Sequence, residues 1–182
     1  MTATSTSADR FDIARRVLSR IAHAVTIVAA AHENERGCAT GTTMYVSLSP
    51  AMIAIAEHSG SRTTRMIKES GEFSVSLLHD SQQDLAVAAG RSAEGPDKLK
   101  ALGIRAVEAP SGFSAPGVEG SVAILWCRVV QTHETGDHLL FVGEIGAHQV
   151  DERRWDPLLR YGRRYSRIGH WTSDEAPEGY PT

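Results

Sequence analysis

Residues 37–50 read GCATGTTMYVSLSP, a stretch of small and hydroxyl-bearing side chains without a charged residue. The stretch is too polar for a buried core and too uncharged for an ordinary exposed loop. Glycine lets the backbone approach a flat or phosphorylated ligand closely, and hydroxyl groups are neutral donors and acceptors. The hydroxyls include those of Thr40, Thr42, Thr43 and Ser47. We therefore predict that a strand, a loop and a second strand line a ligand pocket here.

The composition of the 182-residue chain is that of one ordinary globular domain. It has 41% hydrophobic and 23% charged residues, and no break in composition separates two domains. We predict a domain over residues 9–170, between a mobile tail at 1–8 and a surface arm at 171–182. The net charge of -3 gives no general attraction to nucleic acid or an anionic membrane, so neither is predicted as a partner.

Cysteine usage and hydropathy predict a cytoplasmic protein. Cys38 and Cys127 form no CxxC or metal-binding spacing, and the N-terminal residues lack the apolar core of a signal peptide. No apolar run approaches the roughly 20 residues that cross a membrane. We therefore expect reduced thiols and no membrane-spanning segment.

Short apolar or alternating segments predict a mainly β protein. Strands are predicted at 24–31, 51–57, 72–78, 121–132 and 138–150, with a pair of short strands around Gly162. Because the strands are many and no βαβ alternation is visible, we predict an antiparallel barrel with helices packed outside. A Rossmann fold is disfavoured, since no GxGxxG follows a strand.

The predicted helices are few, and each begins at a capping residue. They start after Asp9, near Thr63, after Asp80 and at Asp97, with Gly71 and Gly103 ending the second and the fourth. The first would cover a sheet with an apolar stripe that includes Val17, Leu18 and Ile21. Residues 107–120 are predicted to form a structureless connection of the kind that covers a site or a partner subunit.

The segment SGSRTTR at 59–65 places hydroxyls and two arginines at a predicted helix start. Unpaired backbone N–H groups and the helix dipole favour an anion there, so this turn is a candidate phosphate site. The alternative is that Ser61 or Thr63 only caps the helix, which is a common role for these residues.

Arginines and tyrosines alternate near the end of the chain, at residues 160–167. Such a patch suits phosphates and flat rings, through bidentate hydrogen bonds and stacking. One alternative is a solvated edge strand protected by its charge. Another is RNA binding, which the acidic balance of the rest of the chain disfavours.

His138 begins a predicted strand and is a candidate to point its ring into the pocket, although a histidine there is more often only half-buried. With His133 it flanks Glu134 and Asp137, but this spacing matches no standard metal site, and we predict no bound metal. No GxSxG motif or activated cysteine indicates a nucleophilic enzyme.

Together these features describe a site for a flat, phosphorylated cofactor with room for a second nucleotide. Four motifs resemble the flavin reductase-like, FMN-binding split-barrel family, whose members include reductase components of two-component flavin monooxygenases. The motifs are GCATGTTMYVSLSP at 37–50, SRTTRMIKESGEFSVSLL at 61–78, GDHLLFVGEI at 136–145 and PLLRYGRRY at 157–165. The second and third are the most specific, and the resemblance spans residues 11–168.

This resemblance implies a mainly β fold, a six-stranded antiparallel split barrel of the Greek-key type with flanking α-helices, assembled as a homodimer. The implied activity is that of an NAD(P)H:flavin oxidoreductase, which transfers a hydride from NADH or NADPH to FMN or FAD. The reduced flavin would be supplied to a partner monooxygenase. Because the cofactor carries this chemistry, the protein need not provide a nucleophile, and no residue is expected to be indispensable.

The resemblance also implies site residues, position by position. The implied flavin contacts are Gly37, Cys38, Ala39, Thr40, Gly41, Thr42, Ala56, Glu57, His58, Arg62, Thr63, Ala88 and Ala89, with Arg62 and Thr63 matching the phosphate-binding turn. The implied NAD(P)H contacts are His138, which would orient the nicotinamide, and Arg160, Tyr161, Gly162 and Arg163.

The chain departs from the family pattern at Gly41, where many relatives carry serine or glutamine, and in RYGRRY, where they read closer to YRGRY. We expect the missing side chain at Gly41 to widen or weaken the flavin site. Two other functions remain open. One is a flavin-binding carrier or redox sensor without enzyme activity, and the other is a flavoenzyme of the same fold that holds its flavin tightly and acts on an organic substrate.

Overall fold

The computed structural model describes residues 12–13, 16–153 and 156–169. The predicted tail at 1–8, the arm at 171–182 and the predicted helix cap Asp9 lie outside these residues.

The described N-terminal residues do not cover the sheet as predicted. Leu18–Arg20 forms a 3-10 helix with no buried residue. Val17, Leu18 and Ile21 are each more than half exposed. Their apolar side chains therefore have no place in the core of this chain.

Strands account for most of the regular structure, and twelve occur in the part of the chain that the structure describes. They are β1 (His23–Ala24), β2 (Thr26–His32), β3 (Glu35–Gly41), β4 (Thr43–Leu48), β5 (Ala51–His58), β6 (Glu72–Leu77), β7 (Ala106–Val107), β8 (Gly117–Val118), β9 (Ala123–Thr135), β10 (His138–Val150), β11 (Leu159–Tyr161) and β12 (Arg164–Ser166). Three α-helices lie between β5 and β7, namely α1 (Arg62–Ser70), α2 (Gln83–Ala89) and α3 (Lys98–Ala101), and a 3-10 helix at Asp80–Gln82 precedes α2.

Seven strands form one antiparallel sheet in the order β3-β2-β6-β9-β10-β5-β4. Its two edge strands are consecutive in the chain, since Thr42 alone separates β3 from β4. One run of chain therefore pairs with β2 before Thr42 and with β5 after it, which requires the sheet to curl. The sheet thus has seven strands where the family resemblance implied six, and β3 and β4 correspond to the two strands predicted within residues 37–50. Within the described residues no ladder joins β3 to β4, so hydrogen bonds do not close the sheet into a barrel.

The hydrophobic core lies on both faces of β2. Ile27 and Ala29 pack in the cluster that contains buried residues of α2 and α3. Val28 and Ala30 pack in the other cluster, with α1 and the inner side chains of β5, β6 and β10. A strand buried on both faces needs no alternation of apolar and polar side chains, which explains why residues 24–31 are apolar except for the buried Thr26.

Helix α1 begins and ends at the predicted signals. The Ser61 hydroxyl accepts a hydrogen bond from the backbone N–H of Thr64, and Gly71 ends the helix in the left-handed region with φ 71. Met66 and Ile67 are fully buried against the sheet. The first turn of α1 is thereby fixed beside β3.

The long hairpin of β9 and β10 is confirmed, with a shorter turn than predicted. His133 and Glu134 belong to β9, and the turn starts at Gly136, which has φ 63. The short pair β11 and β12 is confirmed as well, in a separate small sheet with β1. Gly162 and Arg163 both have positive φ, as a two-residue type I′ turn requires.

The connection at 107–120 is not structureless. It contributes to the β7–β8 pair, and two of its carbonyls accept hydrogen bonds from the large sheet. The Ser74 hydroxyl donates to Pro116 O at 2.6 Å, and Trp126 Nε1 donates to Ala115 O at 2.9 Å. The connection is therefore held against β6 and β9.

Candidate functional site

A cavity of about 490 Å³ lies where β3, the end of β5 and the start of α1 meet. The end of α2, the loop after it and the start of α3 close the other side, and β10 reaches it through its first residue. The lining residues are Cys38, Ala39, Thr40, Ala56, Glu57, His58, Gly60, Ser61, Arg62, Thr63, Ala89, Gly90, Arg91, Ser92, Ala93, Lys98 and His138. This volume is within the usual range for small-molecule and cofactor sites.

Strand β3 gives the cavity a neutral and firmly held wall. Burial raises the pKa of the Cys38 thiol to about 11, so the thiol stays protonated and is a poor nucleophile. The Thr40 hydroxyl donates to the Ala86 carbonyl on α2. Strand β3 also approaches helix α1 closely, because Gly37 has no side chain. A Cβ at Gly37 would lie 3.0 Å from Met66 Sδ.

The first turn of α1 faces the cavity. Ser61 Oγ accepts from the N–H of Thr64 at 3.0 Å, so the predicted capping role is observed. The N–H of Arg65 donates to Ser61 O. The N–H groups of Arg62 and Thr63 lie in the first turn, where the helix provides no carbonyl to accept a hydrogen bond from them. Capping and anion binding are compatible at this turn because they use different groups.

Arg62 ties this turn to the loop that follows α2. Its Nη1 and Nη2 donate to the carbonyls of Gly95 and Pro96 at 2.6 and 2.7 Å, and Nη2 lies 3.2 Å from Glu35 Oε1. Arg62 Nε is buried and has no hydrogen-bond partner within the described ranges. The side chain is therefore positioned by the protein and keeps one donor for a ligand.

Lys98 joins two walls of the cavity. Its ammonium donates to Cys38 O at 2.7 Å and to Ala89 O at 3.0 Å, which uses two of its three N–H groups. Lys98, Arg62 and Arg91 are the three cationic residues that line the cavity, and Glu57 is the one lining residue with a carboxyl group. This excess of positive charge favours an anionic ligand.

Two histidines lie side by side at the edge of the cavity. His58 and His138 are paired across β5 and β10, with ring centroids 5.7 Å apart and planes at 73°. His138 Nδ1 lies 2.7 Å from Asp137 Oδ1, and this hydrogen bond holds the pKa of the Asp137 carboxyl below its usual value. The N–H of Ser59 donates to Asp137 O at 3.0 Å, so the hairpin turn and the loop before α1 are connected.

Glu57 is the buried acidic group of the site, with 5% of its surface exposed. It shares a face of β5 with the core residues Ile53 and Ile55, so the alternation of the strand turns its side chain inward. Its Oε1 has no hydrogen-bond partner in the described part of the chain, and neither has the hydroxyl of Thr26. Burial raises the pKa of the Glu57 carboxyl to about 7, against a smaller lowering by the charge of Lys98.

Gly41 is the backbone against which this carboxyl lies. A Cβ at Gly41 would be 2.9 Å from Glu57 Oε1, closer than Cβ atoms come to other heavy atoms. Glu57 therefore fills space beside Gly41, and the expectation that the glycine weakens the flavin site stays a prediction.

The family model described as the Flavin reductase like domain matches residues 18–169. The chain belongs to the flavin reductase family. An NADH-dependent flavin reductase from Rhodococcus sp is 30% identical over 151 residues, which are 81% of this chain and 80% of that protein. The reductase component of 4-hydroxyphenylacetate 3-monooxygenase from Thermus thermophilus is 31% identical over 156 residues, or 85% of this chain and 94% of that protein.

A solved flavin reductase structure agrees with this assignment. The NADH:FAD oxidoreductase of Streptomyces globisporus matches with a TM-score of 0.81 and 25% identity, covering 93% of this chain and 99% of that one. The family resemblance inferred from the four motifs is therefore confirmed.

Most of the predicted flavin contacts come together in this flavin reductase. Nine of them line the cavity: Cys38, Ala39, Thr40, Ala56, Glu57, His58, Arg62, Thr63 and Ala89. Gly37, Gly41, Thr42 and Ala88 do not. Gly37 faces α1, Gly41 backs onto Glu57, and Thr42 is exposed at the strand junction.

The predicted NAD(P)H contacts are divided between two places. His138 lines the cavity. Arg160, Tyr161, Gly162 and Arg163 lie in β11 and the turn after it, and they do not line the cavity of this chain. The N–H of Gly162 donates to Ser19 O at 2.8 Å, which holds that turn against the N-terminal region.

Seven lining residues were not among the predicted contacts: Gly60, Ser61, Gly90, Arg91, Ser92, Ala93 and Lys98. Gly60 and Ser61 belong to the SGSRTTR turn that the sequence already singled out. The loop RSAEGPD at 91–97 carries three charged residues and so lacks the uncharged pattern that marked residues 37–50. Lys98 carries no sequence signal either, because its role depends on two carbonyls that are distant in sequence.

Three further findings concern the class of protein. In the described residues, no α-helix combines the length and hydropathy needed to cross a membrane. A search of the same residues finds no group of three or more histidine, cysteine or acidic side chains placed to hold a metal ion. Cys38 and Cys127 are both free and buried.

Proposed function

We propose that this protein is an NAD(P)H-dependent flavin reductase that binds FMN or FAD in the cavity formed by β3, β5 and the start of α1. One observation carries the proposal. A single cavity combines uncharged strand backbone, a helix N-terminus with a buried arginine donor and a histidine at its edge. Its family membership and its NADH-dependent relative support the same activity.

The charged end of the cavity fits the flavin phosphate. The N–H groups of Arg62 and Thr63 precede the first backbone hydrogen bond of α1, and the Nε of Arg62 has no hydrogen-bond partner among the described residues. Helix N-termini bind phosphate through such groups and through their dipole. We assign Arg62 and Thr63 to the phosphate, with Ser61 holding the turn in place.

The neutral end fits the flavin ring. Backbone and the small side chains of Cys38, Ala39, Thr40, Ala56 and Ala89 form most of this wall, and Glu57 and His58 complete it. Among the hydroxyl-bearing residues of the segment 37–50, Thr40 lines the cavity. The hydroxyl of Thr43 instead donates to Ala54 O at 3.1 Å. We therefore keep Thr40 as a ring contact in the proposal and assign Thr42 to the strand junction.

Bound flavin supplies the hydride acceptor, and the residues of this chain bind and orient the two partners. His138 is the residue that we assign to the nicotinamide, because it lines the cavity and the carboxyl of Asp137 fixes its ring. Holding both rings at contact distance, about 3 to 3.5 Å, accelerates the transfer by positioning alone. Contacts of residues 160–163 with NAD(P)H remain part of the proposal.

A homodimer is part of the proposal as well. β4 is an edge strand, and its apolar side chains Met44, Tyr45, Val46 and Leu48 are between 43% and 83% exposed. An exposed, unpaired apolar edge favours association with another chain. Val17 and Ile21 add exposed apolar surface of the same kind.

We further propose a partner monooxygenase that receives the reduced flavin, and a cytoplasmic location. The partner is supported by relatives that are reductase components of monooxygenases. The location is supported by two cysteines that are both free, as expected in a reducing compartment. Within this proposal the domain extends over residues 9–170.

The activity is tested by anaerobic stopped-flow spectroscopy with each pair of FMN or FAD and NADH or NADPH. We expect the flavin absorbance to bleach on mixing with at least one pair. Protein that binds flavin without oxidising NAD(P)H would instead be a carrier or sensor. Protein that stays yellow through gel filtration and releases little reduced flavin would be a flavoenzyme for an organic substrate.

The phosphate assignment is tested by the substitution Thr63→Glu. It places a carboxylate at the proposed phosphate site, so we expect the flavin Kd to rise at least about tenfold from like-charge repulsion. Gln83→Glu, which adds the same charge at an exposed position of α2, is the matched control. An unaltered flavin Kd in folded Thr63→Glu protein would contradict the assignment.

A further inference from the structure

The cavity contains one acidic side chain, and neither the phosphate nor the nicotinamide assignment uses it. Glu57 is 5% exposed, and its Oε1 has no partner in the described residues. A buried carboxyl without a hydrogen bond destabilises a folded protein. Its position on the wall of a ligand site suggests that it acts on the ligand.

The surroundings of Glu57 hold its carboxyl in place without hydrogen-bonding Oε1. Gly41 contributes only backbone, and any side chain there would collide with Oε1. The hydroxyl of Thr26, close to Gly41, is buried as well and has no hydrogen-bond partner among the described residues. The carboxyl is therefore packed between β5, β3 and β2 at the cavity wall, where its charge acts on whatever the cavity holds.

We propose that Glu57 sets the preference of the cavity between oxidised and reduced flavin, binding the reduced ring more weakly when its carboxyl is ionised than when it carries a proton. This inference rests on the proposed function. A hydride brings two electrons and one proton, so the ring that accepts it gains one negative charge until a second proton is added. An ionised carboxyl at the same wall repels that charge and favours release of the product.

The groups around Glu57 decide whether it titrates in the working range. The charged and titratable ones that line the cavity are Lys98 on α3, Arg62 on α1, Arg91 in the loop, Cys38 on β3, His138 on β10 and His58 on β5 itself. Burial raises the pKa of Glu57 to about 7, and the charge of Lys98 lowers it by less. Small changes of pH around neutrality therefore change the charge of the Glu57 carboxyl.

The inference is tested by measuring the Kd of oxidised and of chemically reduced FMN at pH 6 and pH 8 under anaerobic conditions. Wild type is compared with Glu57→Gln, which has nearly the same shape and no charge. Free reduced flavin titrates in this range too, but that contribution is common to both proteins. We expect the ratio of reduced to oxidised Kd to rise between the two pH values by roughly tenfold more in wild type than in Glu57→Gln.

The matched control is Glu72→Gln, which neutralises a second buried carboxyl. Glu72 Oε1 accepts from the N–H of Ser114 at 2.6 Å and does not line the cavity. We expect the Kd ratio of this variant to follow wild type at both pH values.

A second measurement uses wild type and does not depend on the folding of any variant. The infrared difference spectrum between its reduced and oxidised FMN complexes near pH 7 should gain the C=O stretch of a protonated carboxylic acid. The band should be absent from folded Glu57→Gln. Equal pH dependence of the Kd ratio in the two proteins, or no such band in wild type, would overturn the inference. If wild type bound neither oxidised nor reduced FMN, the proposed function would fail instead.

Discussion

Replacing Glu57 by glutamine should stabilise the ligand-free protein at alkaline pH and leave it nearly unchanged at acidic pH. The carboxyl is buried, its Oε1 has no partner in the part of the chain that the structure describes, and burial raises its pKa from 4.5 to about 7. The folded state therefore holds the proton more tightly than the unfolded state. Its contribution to stability is fully present below pH 4.5 and is lost as the pH rises through 7.

The magnitude follows from the pKa. A change of proton affinity by 2.5 decades corresponds to about 3.4 kcal/mol, because each decade is about 1.4 kcal/mol. Glutamine does not ionise, so Glu57→Gln avoids this cost at every pH. We expect the free energy of unfolding of the variant to exceed that of wild type by about 3 kcal/mol at pH 8.5, and by a small amount at pH 5.

Urea unfolding at the two pH values, followed by tryptophan fluorescence, measures this difference. Glu72→Gln is again the control, since the Ser114 N–H bonds its carboxyl in the folded state. We expect that variant to show no comparable gain at pH 8.5. A gain for Glu57→Gln that is the same at both pH values would show that shape, not charge, is responsible. A loss at pH 8.5 would show that the carboxylate has a stabilising partner, and the reasoning would be refuted.

Three other substitutions test other parts of the structure. His138→Ala should raise the KM for NAD(P)H or slow flavin reduction while the flavin Kd is kept, with His133→Ala in the same hairpin as control; unchanged NAD(P)H kinetics would remove His138 from the site. Gly143→Ala should lower stability by about 1–3 kcal/mol in thermal unfolding, because the new Cβ would lie 2.6 Å from Phe73 Cζ. Leu48→Asp should shift sedimentation from dimer to monomer, since it puts a charge on the exposed β4 edge; a monomeric wild type would contradict the proposed homodimer.

The strands and helices were predictable where local patterns decide them. The alternation of β6 and β10 and the Ser61 and Gly71 signals of α1 follow from nearest neighbours in the chain. The pairing partners of the two strands predicted within residues 37–50 were not predictable in this way. Thr42 divides one polar run into two strands because β2 and β5, which are far apart in sequence, each bind one half of it.

The site was predictable to the extent that short motifs build it. Residues 37–50 and 59–65 each supply part of one wall, and the family resemblance supplied the rest of the nine predicted contacts that line the cavity. Lys98 could not be found because its ammonium bonds two carbonyls brought together by folding alone. Residues 160–163 carry a strong Arg/Tyr pattern, yet in this chain they lie away from the cavity.

Gly41 and Glu57 show why a single departure from a family pattern misleads. Read alone, a glycine in place of a larger residue indicates a widened site. The fold places the two against each other, so that the space missing at one position is taken by the carboxyl from the other. Burial raises the pKa of this carboxyl to about 7, at the wall of the proposed flavin site. The chemical character of this cavity therefore depends on the pair, and a substitution at either position has to be interpreted with the other in view.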